Sequence, residues 1–288
     1  MLNVKKRKRN PAKSRMLLAL IVAGAFLLFA VLAPHLAPHL PNETHADAIR
    51  MAPCRTYPLG TDSLGRCVYS RVLAGAAYSI FPALFLVGMS FGIGTGLGVL
   101  CGYYGGIFDA VVMRIAEVFL AFPQMVLAIA VAGILGGGLN NALLALGITS
   151  WTLYARMARS EVLKRKELPY VAAARFSGCS DGRILWKYLL PDVIGTLIVT
   201  AAIQVGTAMM ELAALSFLGI GVQAPQAEWG SMINEAKGYL QLAPWAVLAP
   251  AAAMIVTVIV FHCLGEAVRS YHSRERRTGK ADRKSTSE

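Results

Sequence analysis

Residues 79–102 read SIFPALFLVGMSFGIGTGLGVLCG, an apolar stretch that contains no charged side chain. The hydrocarbon core of a bilayer is about 30 Å thick, and an α-helix needs about 20 predominantly apolar residues to cross it. A stretch of this length and composition is too long for an ordinary buried helix of a soluble domain. It therefore predicts a helix that spans a membrane.

The composition of the whole chain agrees with a membrane protein. Hydrophobic residues make up 56% of the 288 residues and charged residues 15%, and the mean hydropathy is +0.54. Soluble domains typically carry about 25% charged residues. So much apolar mass with so little charge also excludes a disordered chain, and five cysteines are too few for a disulfide scaffold. We therefore predict a single polytopic membrane domain.

Further apolar stretches predict an all-α membrane protein with six transmembrane helices. A β-barrel is excluded because the apolar runs are continuous instead of alternating over about ten residues. The fourth predicted span is short and includes Asn140, Asn141 and Trp151. The six spans cover residues 16–34, 79–102, 112–136, 139–155, 194–218 and 244–266.

The basic residues predict the orientation of these spans. Of the 28 Lys and Arg residues, 23 lie in the two tails, in the 156–191 loop or at Arg114. Basic residues near the ends of spans stay on the cytoplasmic side, so both termini are expected to be cytoplasmic. This placement explains the net charge of +12 by contact with anionic lipid, without nucleic acid. The five remaining basic residues are Arg50, Arg55, Arg66, Arg71 and Lys237.

Small residues form two ridges on the second predicted helix and its continuation. Such ridges allow membrane helices to approach closely, since the hydrophobic effect does not drive their association inside a bilayer. The glycine-rich run lies inside an apolar span and no Gly-Lys-Ser/Thr follows it, so it is not a nucleotide-binding loop. One ridge contains Gly88, Gly92 and Gly96, and the other contains Gly94, Gly98, Gly102 and Gly106.

Two carboxylates fall inside predicted spans, where an ionisable group is costly unless it faces protein or water. Glu211, beside Met209 and Met210, either faces a translocation path for a cation or a peptide amino group, or makes a packing hydrogen bond. Glu117 is expected to be structural, because Arg114 lies one helical turn away. The residues leave both interpretations of Glu211 open.

Histidines and cysteines between the first two spans raise two further possibilities. The segment between the first two spans contains residue types that bind metal ions: His35, His39 and His45, with Glu43 and Asp47 nearby. Pro34, Pro38 and Pro41 lie between these residues, so the segment is extended or turning and does not pre-arrange them as ligands. Cys54 and Cys67 are both expected on the outer side and could form a disulfide. Neither a metal site nor a disulfide follows from these residues alone.

The 156–191 loop has the pattern of two short amphipathic helices. One is predicted over about 168–176 and ends at Gly178, and the other over about 180–190, where Pro191 closes it. Glycine allows a backbone angle there that other residues resist. Because the chain has no nucleotide motif of its own, these helices are expected to form a docking surface for a separate energy source.

At this point the sequence resembles a known family. Tyr170-Val171-Ala172-Ala173-Ala174-Arg175, then Gly178 and Leu190-Pro191, is similar to the EAA loop of permease subunits in binding-protein-dependent ABC importers. The resemblance implies that the loop couples the permease to its ATPase. The residues that it assigns to coupling are Tyr170, Ala172, Ala173, Ala174, Gly178, Asp181, Ile184, Leu190 and Pro191.

Further segments narrow the resemblance to the peptide/nickel class, over about residues 16–270. Residues 59–66, LGTDSLGR, are similar to a signature of that class, as are residues 102–106, 215–222 and 228–230. The sequence departs from the class at Ala172, where the Glu of the loop is expected, and at Cys67, Tyr188 and Asp192. The matching motif residues are Gly60, Thr61, Asp62, Gly65, Arg66, Ser216, Phe217, Gly219, Gly221, Trp229 and Gly230.

The resemblance favours nickel or a metal chelate as the cargo. Residues 138–141, 151–157 and 229–236 are more similar to the nickel and metal-chelate permeases. Glu211 is more similar to the peptide branch, so import of di- or oligopeptides is the alternative. No metal ligand is assigned.

The resemblance also implies partners and a location. It implies a second homologous permease subunit, two ATP-binding subunits that hold ATP and Mg, an extracytoplasmic solute-binding protein, and a multi-pass position in the bacterial inner membrane. This subunit is then a transporter component without a cofactor of its own, not an enzyme. The implied division is a basic tail over 1–15, a first helix and outer segment over 16–76, the permease domain over 77–270 and a basic tail over 271–288.

Two other classes fit the residues less well. A membrane enzyme would need several polar groups at one depth, whereas Glu117, Glu211 and the histidines are scattered along the sequence. A passive channel would need a ring of like residues from identical subunits, and it would give no reason for the patterned cytoplasmic loop. ATP dependence of uptake distinguishes both from an importer.

Overall fold

A computed structural model describes the backbone of residues 11–285 and the side chains of residues 12–272. All regular structure in that part of the chain is helical, apart from one isolated bridge between Thr61 and Cys67. The all-α prediction is therefore confirmed for the described residues. The basic run at residues 5–9, the side chains of residues 273–285 and the backbone of residues 286–288 lie outside the described part, so the two predicted tails are described only in part.

Ten α-helices account for most of the described chain. The five long ones are α1 (Pro11–Leu32), α2 (Val68–Tyr104), α5 (Leu139–Arg165), α8 (Leu190–Phe217) and α10 (Trp245–Ser285). The five shorter ones are α3 (Gly106–Leu120), α4 (Gln124–Ile134), α6 (Pro169–Phe176), α7 (Asp181–Ile184) and α9 (Trp229–Ala236).

Four helices among the described residues are long and apolar enough to cross a membrane, and a fifth crossing results if α3 and α4 are taken together. The four lie in α1, α2, the stretch from α7 through α8, and the first part of α10. The fourth predicted span, over 139–155, lies in α5, which is a continuous helix but too polar along its length to meet the same criterion. The count of six spans therefore stays a prediction.

The third predicted span is broken. Instead of one helix over 112–136, α3 and α4 meet at an angle of 87°. Pro123 lies at the break with an extended backbone, φ −57° and ψ 121°. Proline has no N–H to donate, and it disfavours the helical conformation of the residue before it, here Phe122. The prediction of one continuous helix over 112–136 is therefore wrong, whereas a crossing formed by α3 and α4 together stays a prediction.

The two glycine ridges of α2 have different surroundings. A Cβ atom added at Gly94 would lie 2.3 Å from the carbonyl oxygen of Trp151, and one added at Gly98 would lie 2.2 Å from that of Ala155. A Cβ at Gly102 would similarly meet α5. The other ridge, Gly88, Gly92 and Gly96, has no described atom within 4 Å of the added Cβ. The ridge of Gly94, Gly98 and Gly102 is therefore the surface of α2 that packs closely along α5.

The 156–191 loop is more helical than predicted. α5 continues to Arg165, so the first part of the predicted loop is helix. α6 forms at Pro169–Phe176, close to the predicted 168–176. The second predicted helix does not end at Pro191, because α7 passes through one π-helical turn, Leu185–Leu189, directly into α8. Proline is tolerated in the first turn of a helix, where its N–H would have no intrahelical partner, and Pro191 lies in that turn of α8.

The long helices pack around one core. α2 lies along α5 and also contacts α8, and α10 packs on α8 and α1. The main apolar cluster draws on these helices and on α4 and α9. A second cluster joins the ends of α2, α5 and α8 to α6 and α7. This packing leaves a cavity between the helices and holds α6 and α7 against the ends of the long helices.

Candidate functional site

A cavity of about 170 Å³ lies between α2, α4, α5 and α8. Its walls are apolar at Leu86, Val87, Leu120, Leu153 and Ala208. Its polar lining residues are Ser90 of α2, Gln124 of α4, Thr149, Ser150, Thr152 and Tyr154 of α5, and Gln204 and Glu211 of α8.

Hydrogen bonds between side chains that line this cavity link α4 to α5 and α8. The amide nitrogen of Gln124 donates to Glu211 Oε2 at 3.2 Å and to Ser150 Oγ at 3.3 Å. The Ser150 hydroxyl donates in turn to the carbonyl of Leu146 at 2.7 Å. Glu211 therefore has a partner on α4, as its packing interpretation expects, and it also lines a cavity, as its pathway interpretation expects. The geometry joins the two interpretations instead of separating them.

Two hydroxyl groups among the lining residues have no partner in the described part of the chain. Ser90 is 1% exposed and Tyr154 is 2% exposed, and neither hydroxyl oxygen makes a hydrogen bond there. A buried polar group without a partner costs about 1–3 kcal/mol. By contrast, Thr149 and Thr152 both donate to carbonyls of their own helix. Ser90 and Tyr154 are thus the buried hydroxyl groups of the lining that lack a partner among the described residues.

The other intramembrane candidates lie elsewhere. Met209 is buried in the main apolar cluster and Met210 is 56% exposed, and neither lines the cavity. Glu117 pairs with Arg114 over 3.0 Å on the exposed face of α3, as predicted. Sequence reasoning missed Gln124, Ser90 and Tyr154, because isolated uncharged polar residues within apolar runs give no signal of their own.

The α6 and α7 segment has an inner and an outer face. Val171, Ala174 and Ile184 are buried against the ends of the long helices. On the outer face, Ala172 and Ala173 are exposed, Phe176 is 93% exposed and Trp186 is 74% exposed. Phe176 lies one helical turn after the exposed alanines on α6, and these residues together with Trp186 are exposed apolar side chains that are available to a partner.

The coupling residues named from the sequence fall on both faces. Gly178 joins α6 and α7 with a φ of +75°, a value that glycine adopts without strain. Tyr170 Oη donates to Asp192 at 3.3 Å, and burial raises the pKa of Tyr170. Leu190 and Pro191 begin α8. Because Ala172 is exposed, its replacement of the family Glu removes no internal contact.

Two polar links tie this segment to the long helices. Tyr103, in the last turn of α2, donates to Asp181 Oδ1 at 2.5 Å and accepts from Arg175 Nη2 at 3.4 Å. Nearby, Arg159 Nε and Nη2 donate to Asp109 Oδ1 and Oδ2 at 2.5 and 2.6 Å, which joins α5 to α3. Neither Tyr103 nor Arg175 was assigned a role from the sequence, since the residues that they contact are distant along the chain.

At the opposite end of α2, four charged side chains form a buried network. Arg66 Nε contacts Asp62 Oδ2 at 2.6 Å, and its Nη2 contacts Glu235. Arg71, 1% exposed, lies 3.4 Å from Glu235 and 3.7 Å from Asp62. Burial lowers the pKa of Arg66, but Asp62 and Glu235 more than offset this effect and hold the pKa above its usual value. Asp62 and Arg66 are motif residues, whereas Arg71 and Glu235 were not predicted to join them.

The other residues of the 59–66 motif shape this network. Gly60 and Gly65 have φ of +67° and +73°, and a Cβ at Gly65 would lie 1.9 Å from the carbonyl oxygen of His45. The Thr61 hydroxyl donates to the Ala48 carbonyl, and the Thr61 carbonyl accepts from the indole of Trp245 at 3.0 Å. The motif therefore builds a tight turn at the start of α2.

The motif after α8 is also structural. Ser216 Oγ accepts from Val222 N at 3.0 Å, and Gly219 takes a φ of +81°. Glu228 caps α9 by accepting from the backbone of Gly230 and Ser231 at 2.9 and 2.8 Å, and burial raises the pKa of its carboxyl despite these bonds. Three motif residues remain. The Lys237 ammonium lies 4.7 Å from the centre of the Phe217 ring, and Gly221 packs closely against Ser216. The indole of Trp229 donates to the Val72 carbonyl at 3.0 Å.

The predicted outer side offers no assembled metal site. No group of three or more His, Cys, Asp or Glu side chains suited to a metal ion occurs among the described residues. His39 Nε2 lies 2.9 Å from the Thr56 carbonyl oxygen, and His45 lies 3.8 Å from Glu43. Cys54 is exposed and Cys67 buried, and both have free thiols.

Comparison with known proteins identifies the family. The profile of the family described as "Binding-protein-dependent transport system inner membrane component" matches residues 94–271. The chain belongs to this family. It is a permease subunit of an ABC transporter, located in the bacterial plasma membrane with several crossings, and the ATPase is a separate subunit. Membership also implies ATPase and binding-protein partners.

The permease is similar to proteins that are named as peptide permeases. It is 38% identical over 253 residues to a dipeptide transport system permease protein of Alkalihalophilus pseudofirmus, and this match covers 88% of this chain and 83% of that protein. It is 38% identical over 254 residues to a glutathione transport system permease protein of Pectobacterium atrosepticum, with 86% and 84% covered. A dipeptide permease of Haemophilus influenzae is 35% identical over 259 residues, with 88% of each chain covered.

A solved structure confirms the fold. The permease matches a chain of the MetNI methionine ABC transporter in an inward-facing conformation, with a TM-score of 0.57 and 21% identity. The match covers 70% of the permease and 96% of that chain. A second crystal form gives a TM-score of 0.52, with 68% and 95% covered.

Proposed function

We propose that the permease imports di- or oligopeptides. The observation that carries this proposal is the 38% identity over 253 residues to a dipeptide permease, together with the similar identity to a glutathione permease, whose cargo is also a peptide. The sequence favoured nickel or a metal chelate, and the relatives described above give that cargo no support. Peptide import, the alternative drawn from the sequence, is therefore the better-supported function.

The proposed topology has six crossings with both termini in the cytoplasm. The fourth crossing is formed by residues 139–155 of α5, and the polar last part of this helix, residues 156–165, then lies at the cytoplasmic surface. The distribution of 23 of the 28 basic residues supports this orientation. It places α6 and α7 on the cytoplasmic side and the Asp62 network on the outer side. The two basic tails lie against anionic lipid.

The proposed assembly contains a second permease subunit, two ATP-binding subunits that hold ATP and Mg, and an extracytoplasmic binding protein. The apolar surface of Ala172, Ala173, Phe176 and Trp186 receives the ATPase, which its exposure supports. This subunit needs no cofactor of its own. ATP binding shifts the α6 and α7 segment, and the links at Tyr103 and at the start of α8 transmit that shift to the long helices.

The proposed translocation path includes the cavity beside Glu211. The main support is that the cavity combines a carboxylate, two glutamines and several hydroxyl groups, two of which have no partner among the described residues. Met209 and Met210 directly precede Glu211 on α8, but Met209 is buried in the main apolar cluster and Met210 is exposed, so neither lines this cavity. Alternating access then needs two packed arrangements of α4, α5 and α8 around this cavity.

Uptake by cells that lack the gene tests the proposal. Cells with and without a re-supplied gene are given a radioactive dipeptide and, separately, radioactive nickel. We expect dipeptide uptake to return with the gene and nickel uptake to stay at the background of the empty vector. Return of nickel uptake without dipeptide uptake would overturn the peptide proposal and restore the cargo that the sequence favoured.

A further inference from the structure

The cavity between α2, α4, α5 and α8 has the chemistry of a site for an organic ammonium group. We infer that it binds the positively charged amino terminus of the transported peptide, with Glu211 as the counter-charge and Ser90 and Tyr154 as partners of the first peptide group. This inference rests on the proposed peptide import, and it assigns to the cavity the part of the cargo that it recognises.

Charge is the first argument. Glu211 is the one carboxylate among the described lining residues, and none of those residues is Lys, Arg or His. Its carboxylate accepts a hydrogen bond from the neutral amide of Gln124, whereas a carboxylate has about four acceptor positions. The carboxylate is therefore left without a positive partner in a lining that is otherwise uncharged. An ammonium group with its three N–H donors supplies both the charge and the missing hydrogen bonds.

The unpartnered hydroxyl groups are the second argument. Ser90 on α2 and Tyr154 on α5 line the same cavity as Glu211 and are almost completely buried. Each has one O–H to donate and lone pairs to accept, yet neither has a partner among the described residues. The backbone N–H and C=O of a peptide offer one donor and one acceptor, which these two groups can satisfy.

The size of the cavity is the third argument. Pockets that enclose a whole drug-sized ligand usually measure about 300–1,000 Å³, and this one measures about 170 Å³. It accommodates one end of a peptide and leaves the rest outside this subunit. A site that reads the amino end alone tolerates different side chains, as import of peptides of varied sequence requires.

A bare divalent metal ion fits the same cavity poorly. Nickel and similar ions prefer several nitrogen or sulfur ligands, imidazole above all. The described lining offers one carboxylate and neutral oxygen and amide groups, with no His or Cys. An amine therefore matches the donor set better than a metal ion does.

The first test measures uptake by the complete transporter with its binding protein in proteoliposomes. We expect Glu211→Gln to lower the maximal rate of ATP-dependent alanyl-alanine uptake at least tenfold, and Glu211→Asp to restore part of it. The matched control is Glu117→Gln, a carboxylate on the exposed face of α3, and it should stay within twofold of the wild type. Wild-type rates for Glu211→Gln at equal amounts of assembled transporter would overturn the inference.

A second measurement needs no variant. A hydrophobic carbodiimide modifies buried carboxyl groups, and mass spectrometry quantifies its addition to Glu211 in the wild-type transporter. We expect excess alanyl-alanine to slow this modification at least threefold, and N-acetyl-alanyl-alanine, which lacks the ammonium group, to leave it unchanged. Equal rates with both peptides would overturn the inference. If the wild-type transporter takes up no dipeptide at all, it is the proposed function that fails.

Discussion

Tyr103, in the last turn of α2, donates a hydrogen bond of 2.5 Å to the carboxylate of Asp181 at the start of α7. The two residues lie 78 positions apart in the sequence. This bond, with the Arg175 side chain beside it, connects the α6 and α7 segment directly to α2, the longest of the helices that pack along α5. In the proposed coupling, a shift of the segment is passed to α2 through this bond, and to α8 because the segment is continuous with it.

Tyr103→Phe tests this connection. The substitution removes the hydroxyl and keeps the ring, so it should cost about 1 kcal/mol, which changes the population of the connected arrangement about fivefold. We expect uptake to fall by a similar factor while the amount of protein in the membrane stays normal. Tyr104→Phe, on the adjacent and exposed tyrosine, is the control. Unchanged uptake for Tyr103→Phe would show that this bond transmits nothing.

Gly178→Pro tests the junction between α6 and α7. Gly178 has a φ of +75° and donates its N–H to Arg175 at 3.0 Å. Proline fixes φ near −65° and has no N–H, so the junction must rearrange. We expect uptake to stop and membrane insertion to remain, as measured by transport assay and by the amount of folded protein. Gly182→Ala, where an added Cβ meets no described atom, should keep its activity.

Gly98→Ala tests the contact between α2 and α5. The added Cβ would lie 2.2 Å from the carbonyl oxygen of Ala155, so the helices must separate at a cost of about 1–3 kcal/mol. We expect a lower apparent Tm for the permease in detergent. The matched change Gly96→Ala, on the open ridge, should leave Tm unchanged or raise it, since alanine favours a helix over glycine. Equal Tm values for both variants would contradict the assigned interface.

Asp62→Asn tests the buried charge network. The change keeps the shape of the side chain but leaves Arg66 and Arg71 with Glu235 as their one remaining acidic partner in the network. Removing one member of a buried ion pair typically costs about 3–5 kcal/mol. We expect an apparent Tm several degrees lower, and Glu43→Gln, on an exposed carboxylate, should not change it. A wild-type Tm for Asp62→Asn would show that the network adds no stability.

The regular parts of the fold followed from local sequence signals. The apolar run at 79–102 lies in α2, and the predicted helix over 168–176 corresponds to α6. Both could be predicted because a helix is set by residues that are close together in the sequence. The break at Pro123 and the passage of α7 into α8 through Pro191 were missed. Pro123, to which no structural effect was assigned from the sequence, interrupts the helix there, and Pro191, which was expected to close a helix, is accommodated in the first turn of α8.

The candidate sites depended on contacts that the sequence does not display. Arg71 and Glu235 are 164 positions apart, and Ser90, Gln124, Tyr154 and Glu211 come from four helices. Residues 229–236, which contributed to the nickel prediction, form α9, where Trp229 and Gly230 are packed against α2 and α8. That stretch is constrained by packing, so its similarity to nickel permeases carries little information about cargo.

ATP-driven accumulation of a peptide is the central claim, and proteoliposomes that contain the complete transporter test it most directly. With binding protein outside and ATP on the cytoplasmic side, labelled alanyl-alanine should accumulate above its external concentration. It should not accumulate with a non-hydrolysable ATP analogue or without the binding protein. Accumulation of nickel instead of the dipeptide, or equilibration of the dipeptide without ATP, would contradict the account.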